Sequence, residues 1–305
     1  MDRLALMESF VRVVESGSFA EAARKGRVSR AAVSKHVETL EEYLGVHLLN
    51  RTTRRMHLTV EGEVFFRRCR AILEEVTEAE QEATQLHAAP RGQLRVNAPM
   101  SFGVHHLAPA AAAFLSEYPG IEMELVLNDR IVDLVEEGFD VGVRIGVLED
   151  STLMVRRLAW AQLVLCASPE YVARRGIPAQ PEDLTTHACL IYSYTQSPNL
   201  WRFRQGDATF TVRVAGPLCA NNGDVLRVAA LAGLGVAILP VFLVSRELDA
   251  GTLIPLLPAY TLPCLGIYAV TPSNRHLSAK VRRLIDFLAS RFGSQTNGSR
   301  FGRSD

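Results

Sequence analysis

Leu4, Met7, Val11 and Val14 fall on one helical face, and the Gly17-Ser18 pair ends that face. Ser18 with Glu21 predicts a capping box for a second short helix, satisfying two orphan amides reciprocally. Ala20, Ala22 and Ala23 are small enough to let another helix cross it closely. Gly26 to Val28 reads as a turn and Ser29 as the next N-cap. From there Val33, Val37, Leu40 and Leu44 repeat at spacings of four, three and four, a helix that Gly45 closes. Helix, tight turn, helix on this scale is the helix-turn-helix pattern. Two short alternating runs follow, Leu48–Arg51 and Arg55–Thr59, which flank Thr52–Arg54 and predict a β-hairpin wing.

Thr59 or Glu61 opens a long helical stretch to about His87. Within it Phe65, Cys69, Ile72, Val76, Ala79, Ala83 and Leu86 step alternately by four and three. That is a heptad seam about three heptads long, with Glu74, Glu75, Glu78, Glu80 and Glu82 on the other faces. A helix packed on its own domain shows a wider apolar stripe, so the seam predicts pairing of two chains and two recognition helices for two half-sites. Cys69 reads as a small apolar residue of the seam.

Pro90 and Gly92 break the rod, and the pattern turns to alternating strands and helices. Gln93–Asn97, Glu122–Asn128 and Val141–Ile145 read as strands, with helices over His105–Tyr118 and Ile131–Gly138. Leu163–Leu262 repeats that grammar through "LVLCA", "CLIYS", "TFTVRVAG" and "GVAILP", and Leu265–Val270 with the helix Ala279–Arg291 returns to the first sheet. Such alternation predicts doubly wound parallel sheets in two α/β lobes with a cleft between them. Val228–Val244 carries no charge, but Gly233, Gly235 and Pro240 cut it into a buried helix, a glycine turn, a buried strand and a proline-started helix. No transmembrane helix is expected.

The expected architecture is an α+β multidomain chain. Residues 1–60 form a winged helix-turn-helix domain and 61–89 a long linker helix for coiled-coil dimerisation. A two-lobed α/β domain takes 90–293, with lobe I at about 90–162 and 265–293 and lobe II at about 163–264; 294–305 is a flexible tail.

Charge changes this picture only locally. The 33 basic and 33 acidic residues cancel, yet Arg24 to Arg55 holds eight Lys/Arg (24, 25, 27, 30, 35, 51, 54, 55) against Glu38, Glu41 and Glu42. All three acids lie in later turns of the second helix of the pair. Its first turns would meet base edges in the major groove. The expected DNA contacts are Ser29, Arg30, Ala31, Ser34, Lys35 and His36 on the helix, with Arg51, Thr53 and Arg54 on the wing reaching phosphates. The cysteines at 69, 166, 189, 219 and 264 are odd in number and far apart, without zinc spacing, which fits a reducing cytoplasm. No secretory pattern opens the chain.

"ESGSFAEAARKGRVSRAAVSKHVETLEEYLGVHLLNRTTRRMHLTVEG" resembles the winged helix-turn-helix of the LysR-type transcriptional regulators. The match includes the Gly-Ser-Phe start, the Ala-Ala pair, Val-Ser before the recognition helix and Ala-Val-Ser-Lys inside it. Leu-Glu-x-x-Leu-Gly follows, and Leu-Thr-x-x-Gly closes the module. One departure is the turn, where the family usually has an apolar residue and then Gly, Asn or His, and this chain has Gly26 before Arg27. The lost apolar contact is expected to loosen the turn slightly. The resemblance covers the rest of the chain more weakly, as the family's effector-sensing domain with its periplasmic-binding-protein-like fold. It implies double-stranded DNA as partner, a homodimer through the linker helix, a homotetramer overall, and RNA polymerase as a candidate further partner.

The cleft residues follow from strand ends. Pro99, Met100 and Ser101 open the first helix of lobe I, where a hydroxyl and free amides suit the carboxylate of an anionic metabolite. Asn128 follows the second strand, and alignment with the family matches Ser101 and Asn128 to effector contacts. Arg144 suits an anionic effector or an ion pair with Asp140 or Glu149. Asn222 fits a helix cap as well as a ligand, and Tyr192 and Tyr194 could shape the pocket.

The function expected is a ligand-responsive transcription factor with no metal and no cofactor beyond its small-molecule effector. An enzyme is disfavoured because no G-x-S-x-G, H-E-x-x-H or Walker loop is present, and only Gly233-Leu-Gly235 approaches a dinucleotide fingerprint. A thiol redox sensor would need Cys189 or Cys219 to be reactive, and neither has an adjacent base.

Overall fold

The computed structural model describes residues 2–51, 56–84, 90–147, 153–272 and 277–293. They cluster in two compact units, Met1–Ala89 and Pro90–Asp305.

In the first unit, helix α1 (Arg3–Ser16) starts on Asp2, whose carboxylate accepts the Leu4 and Ala5 amides, and ends at left-handed Gly17. Helix α2 (Phe19–Gly26) starts on Ser18, whose hydroxyl oxygen accepts the Glu21 amide. Only this half of the expected capping box forms. The Glu21 carboxylate turns instead to Arg24, at 2.6 and 3.0 Å, because a charged partner one turn along competes well against a neutral amide. Helix α3 (Arg30–Leu44) is capped by Ser29 and closed by Gly45. Strands β1 (Leu49–Arg51) and β2 (Met56–Leu58) pair antiparallel as the wing, and helix α4 (Val60–Thr84) follows.

One core serves all of these elements: Phe10, Val13, Ala22, Val33, Val37, Leu40, Leu48 and Cys69 are buried together. The Phe10 ring lies 5.9 Å from Phe65 and 6.4 Å from Phe66. The start of the predicted seam is therefore used within the chain. Phe65 packs against this core and Cys69 is buried in it, while Ile72 stays 40% exposed. Spacing by four and three is met equally by a partner helix and by α1, and a module this small needs α4 to bury α1 at all. The later seam positions, from Ala79 to Leu86, have side chains outside the described residues, as does the 294–305 tail.

Two contacts tie the wing to its neighbours. The Glu41 carboxylate is buried and accepts the Leu48 and Leu49 amides at 2.7 and 3.1 Å. The Thr59 hydroxyl donates to the His47 carbonyl and accepts the Gly62 amide, which caps α4. A Cβ on Gly62 would overlap the Leu48 carbonyl oxygen, so this glycine is required by close approach. The turn before α3 is equally particular. Arg27 sits left-handed at φ +54°, ψ +35°, a conformation that costs an L-residue about 1–2 kcal/mol. Where the apolar side chain is missing at Gly26, the Arg12 guanidinium fills the space a Cβ would take.

The second unit begins with β3 (Gly92–Ala98). A helical stretch follows: α5 (Met100–Phe102), a π turn at Gly103–Leu107, and α6 (Ala108–Glu117). Strands β4 (Ile121–Leu127), β5 (Val141–Gly146) and β6 (Leu153–Ala161) complete the outbound part of lobe I. Lobe II holds β7 (Leu163–Ala167), α7 (Pro169–Arg175), β8 (Cys189–Tyr192), β9 (Leu200–Gln205), β10 (Ala208–Arg213) and β11 (Leu218–Ala220). It continues with α8 (Gly223–Leu231), β12 (Val236–Pro240), α9 (Val241–Asp249) and β13 (Ile254–Pro255). Strand β14 (Leu265–Pro272) and helix α10 (Ala279–Gly293) return to lobe I.

Lobe I has strand order β4-β3-β5-β14-β6 and lobe II β11-β8-β12-β7-β13. The sheets are mixed rather than fully parallel. Strand β14 runs antiparallel to β5 and β6 because the chain re-enters lobe I from lobe II, and β7 is antiparallel to β12. The helix expected at Ile131–Gly138 is a set of turns. Asp133 accepts the Val135 and Glu136 amides as an N-cap would, but the chain turns off at left-handed Gly138, where the Phe139 amide returns to the Leu134 carbonyl, and Val132, Leu134 and Phe139 bury against the sheet. The uncharged Val228–Val244 stretch divides as expected into α8, left-handed Gly233, β12 and α9. No helix among the described residues is long and apolar enough to cross a membrane.

Replacing Glu41 by Ala leaves the Leu48 and Leu49 amides without their acceptor, with an expected loss of about 1–3 kcal/mol. Overlap at Gly62→Ala is expected to cost a similar ~1–3 kcal/mol. Urea unfolding followed in the amino-terminal unit reads both, and unchanged midpoints would contradict the two contacts.

Candidate nucleic-acid interface and inter-lobe site

The outward face of α3 is built by subtraction. Val33, Val37 and Leu40 are consumed by the core, which leaves Arg30, Ala31 and Lys35 exposed on the first two turns. Neither Arg30 nor Lys35 has a carboxylate within 4 Å among the described residues. The acids are occupied or distant: Glu41 points inward to the wing amides, Glu38 accepts from the Ser34 hydroxyl at 3.1 Å, and Glu42 lies in the last helical turns. Ser29 is exposed with its oxygen engaged by the Ala32 amide, so it serves the helix as its cap.

His36 does not belong to this face. Its Nδ1 lies 2.7 Å from the Ser9 hydroxyl, so the ring bridges α3 to α1. Position 36 sits beside Val33, Val37 and Leu40 on the helical wheel, and a polar residue on the flank of a core stripe finds its partner in the neighbouring helix. The strand β1 carries Arg51 at its end; Thr53 and Arg54 of the expected wing tip lie outside the described residues. A guanidinium and an ammonium held on one helical face can donate to guanine acceptors in a major groove or to the adjoining phosphates.

In the second unit Met100, Ser101 and Asn222 of the expected cleft meet at the seam between lobes, joined by Asp129. Asp129, just after β4, accepts the Met100 amide at 2.9 Å with one oxygen and the Asn222 side-chain amide at 2.9 Å with the other. Asn222 also reaches the Ser101 hydroxyl at 3.5 Å, and its carbonyl oxygen caps α8 by accepting the Asp224 and Val225 amides. Cap and cross-lobe contact therefore coexist in one side chain. His105 Nε2 lies 3.1 Å from the Asp224 carboxylate. Burial opposes the Asp224 charge, but hydrogen bonds from Ser101 and His105 and the nearby charges outweigh it and hold the carboxyl below its usual range.

Ser101 is 8% exposed, Pro99 is half-buried and Met100 exposed. The Met100 amide expected to be free for an anion is already taken by Asp129. Asn128, next to Asp129, has a buried side-chain oxygen with no hydrogen-bond partner. The signal for Asp129 was present: an acid immediately beyond a strand end, opposite a helix N-terminus. Tyr192 and Tyr194 are edge to face at 6.3 Å, and Asn221 donates to the Tyr194 hydroxyl. Burial, with Asp129 and Tyr194 adding to it, pushes the Tyr192 hydroxyl upward.

Arg144 stands apart from this group. It alternates with core residues Val141 and Val143 on β5, so it lies on the other face of the sheet, where it donates to the Asn97 side chain and the Val132 carbonyl. Asp140 instead accepts the Arg95 amide at 2.9 Å, and Glu149 lies outside the described residues. Burial lowers the Arg144 pKa, and the charge of Glu137 opposes that shift.

The thiols fit no redox pair. Burial pushes Cys69, Cys166 and Cys189 up to about 12, which suppresses the reactive thiolate, and Cys219 is exposed and unpaired. Among the described residues no group of three or more His, Cys, Asp or Glu is placed to hold a metal.

Comparison with known proteins accounts for both units. Residues 4–63 match the family described as bacterial regulatory helix-turn-helix protein, lysR family, and residues 87–293 match the LysR substrate binding domain. The chain is 39% identical over 290 residues to the HTH-type transcriptional regulator CrgA of Neisseria meningitidis serogroup C, covering 95% of this chain and 97% of that protein. It is 36% identical to the HTH-type transcriptional regulator DmlR of Escherichia coli, covering 96% of each. The solved structure of CrgA from Neisseria meningitidis superposes with a TM-score of 0.62 at 38% identity, over 96% of this chain and 99% of that one. The full-length structure of the Vibrio cholerae virulence activator AphB superposes with a TM-score of 0.60 at 29% identity, over 95% and 99%.

The double duty of Asn222 is separable. Asn222→Ala is expected to destabilise the carboxy-terminal unit by about 1–2 kcal/mol through the lost cap alone, with the cross-lobe bond added to that. Asn222→Ser keeps a cap but is too short to span to Asp129, so thermal unfolding should place it between the two. Equal stability of Ala and Ser variants would mean that the cap contributes nothing.

Proposed function

The chain belongs to the LysR family of bacterial transcriptional regulators, and from that premise we propose how its two units act. Helix α3 enters the major groove, Arg30 and Lys35 address base edges or flanking phosphates, and the Arg51–Arg54 wing holds the adjoining backbone. The observation that carries this is the exposure of Arg30 and Lys35, without carboxylate partners among the described residues, on the helical half from which every acid is withdrawn. Two chains paired through α4 would present two such helices to a two-half-site target, and pairs of dimers would make the homotetramer that the family resemblance implies. Transcription would then be controlled through RNA polymerase at the bound promoter.

The effector is proposed to bind at the inter-lobe seam, among Ser101, Asp129, Asn222 and Tyr192. A small molecule acts there only if it prefers one lobe arrangement over another. The Asn222–Asp129 and His105–Asp224 bonds are the contacts it would have to exchange for its own. Of the donors expected for an anion, the Met100 amide is engaged and Arg144 faces the opposite side of the sheet. The Ser101 hydroxyl is engaged by Asp224 as well, but a hydroxyl rotates to a new partner without moving its backbone, which makes it the first contact to test.

Binding of full-length variants to sites recovered by genomic footprinting tests the first part. Arg30→Ala is expected to cost about 1–3 kcal/mol on a specific site and to relax preference at one base pair if the guanidinium reads a base. An unchanged footprint and affinity would reject that role. For the second part, Ser101→Ala should abolish the effector response while leaving DNA affinity intact; loss of both would place the defect in folding.

A further inference from the structure

We propose that Arg27 is a DNA-phosphate anchor, kept in the helix-turn-helix turn for its charge although its backbone favours a different residue. Among the described residues only Arg27 and Leu257 combine a side chain with a left-handed backbone. Leu257 is 4% exposed and is held in place by the core of lobe II. Arg27 is exposed, so no such packing holds its conformation. The turn itself needs only the backbone: the Arg27 amide donates to the Ala23 and Arg24 carbonyls, and the Val28 amide to Ala23. Glycine or asparagine would close the same turn with less strain. The reason for arginine must lie in its side chain.

That side chain is uncommitted in the free protein. Arg24 is engaged by Glu21 and Arg12 by Glu8, whereas Arg27 has no carboxylate partner among the described residues. Its position supplies the partner. Arg27 lies two residues before the Ser29 cap of α3, in the turn between a helix that crosses the phosphate backbone and one that enters the groove. A guanidinium there meets the groove edge, where its planar fork suits two phosphate oxygens. Strain at a residue that nothing packs against is the pattern expected where function, not stability, selects the residue. The assignment rests on α3 being the groove-entering helix.

The test compares Arg27→Gly, Arg27→Asn and Arg27→Lys in the full chain by thermal unfolding and by binding to a random-sequence duplex across a salt series. Arg27→Gly and Arg27→Asn should raise the melting temperature of the amino-terminal unit by a few degrees. They should also weaken duplex binding several-fold and flatten log K against log salt by about 0.9 per bound protomer. Arg27→Lys should keep the salt slope without the gain in stability. Wild-type affinity and slope in Arg27→Gly would overturn the proposal, and so would a fall in its stability. Binding by the unaltered chain reads the role of α3 itself; only the differences between variants read Arg27.

Discussion

A carboxylate turned inward organises the DNA-facing unit. Glu41 leaves the outer surface of α3 and takes the two amides that begin the wing, so recognition helix and hairpin are joined through one buried side chain. Glu38, in turn, accepts from the Ser34 hydroxyl on its own helix, so neither carboxylate pairs with the cations of the first turns. Thr59 and Gly62 complete the frame by pressing the start of α4 onto the Leu48 carbonyl. The Leu-Glu-x-x-Leu-Gly and Leu-Thr-x-x-Gly stretches are thus two halves of one joint.

The sensor unit uses side-chain caps in a related way. Asn222 caps its own helix and crosses to the other lobe, and Asp129 joins a helix start in lobe I to that same asparagine. These bonds serve a helix end and a lobe contact at once, so the proposed effector, in taking one donor, would disturb both. Such coupling needs no long pathway between residues, only a small set of shared partners with two arrangements.

Legibility from sequence followed how much of each element's fate was local. The α1–α3 helices, the serine caps of α2 and α3, the wing strands and the division of Val228–Val244 all follow from spacing and capping chemistry. Phe65 and Cys69 did not resolve, because alternate spacing by four and three says that a face is apolar without saying what covers it. His36 has a charge type that fits the groove, but its place beside Val33 and Val37 on the wheel sends it to Ser9. Ile131–Gly138 has helical apolar spacing and an N-cap-like Asp133, but left-handed Gly138 ends it after one turn. At the seam, Ser101 and Asn222 were identified at strand and helix ends. Asp129 stands beside Asn128 at a strand end, but its role depends on a partner 93 residues away.

The central claim is that α3 works from inside the major groove. The direct measurement is binding to duplexes of identical sequence with plain cytosines or with glucosylated 5-hydroxymethylcytosines, which fill that groove and leave the phosphate charge unchanged. The account predicts strong loss of specific binding to the filled duplex, with residual salt-dependent binding through phosphates. Equal affinity for both duplexes would contradict it.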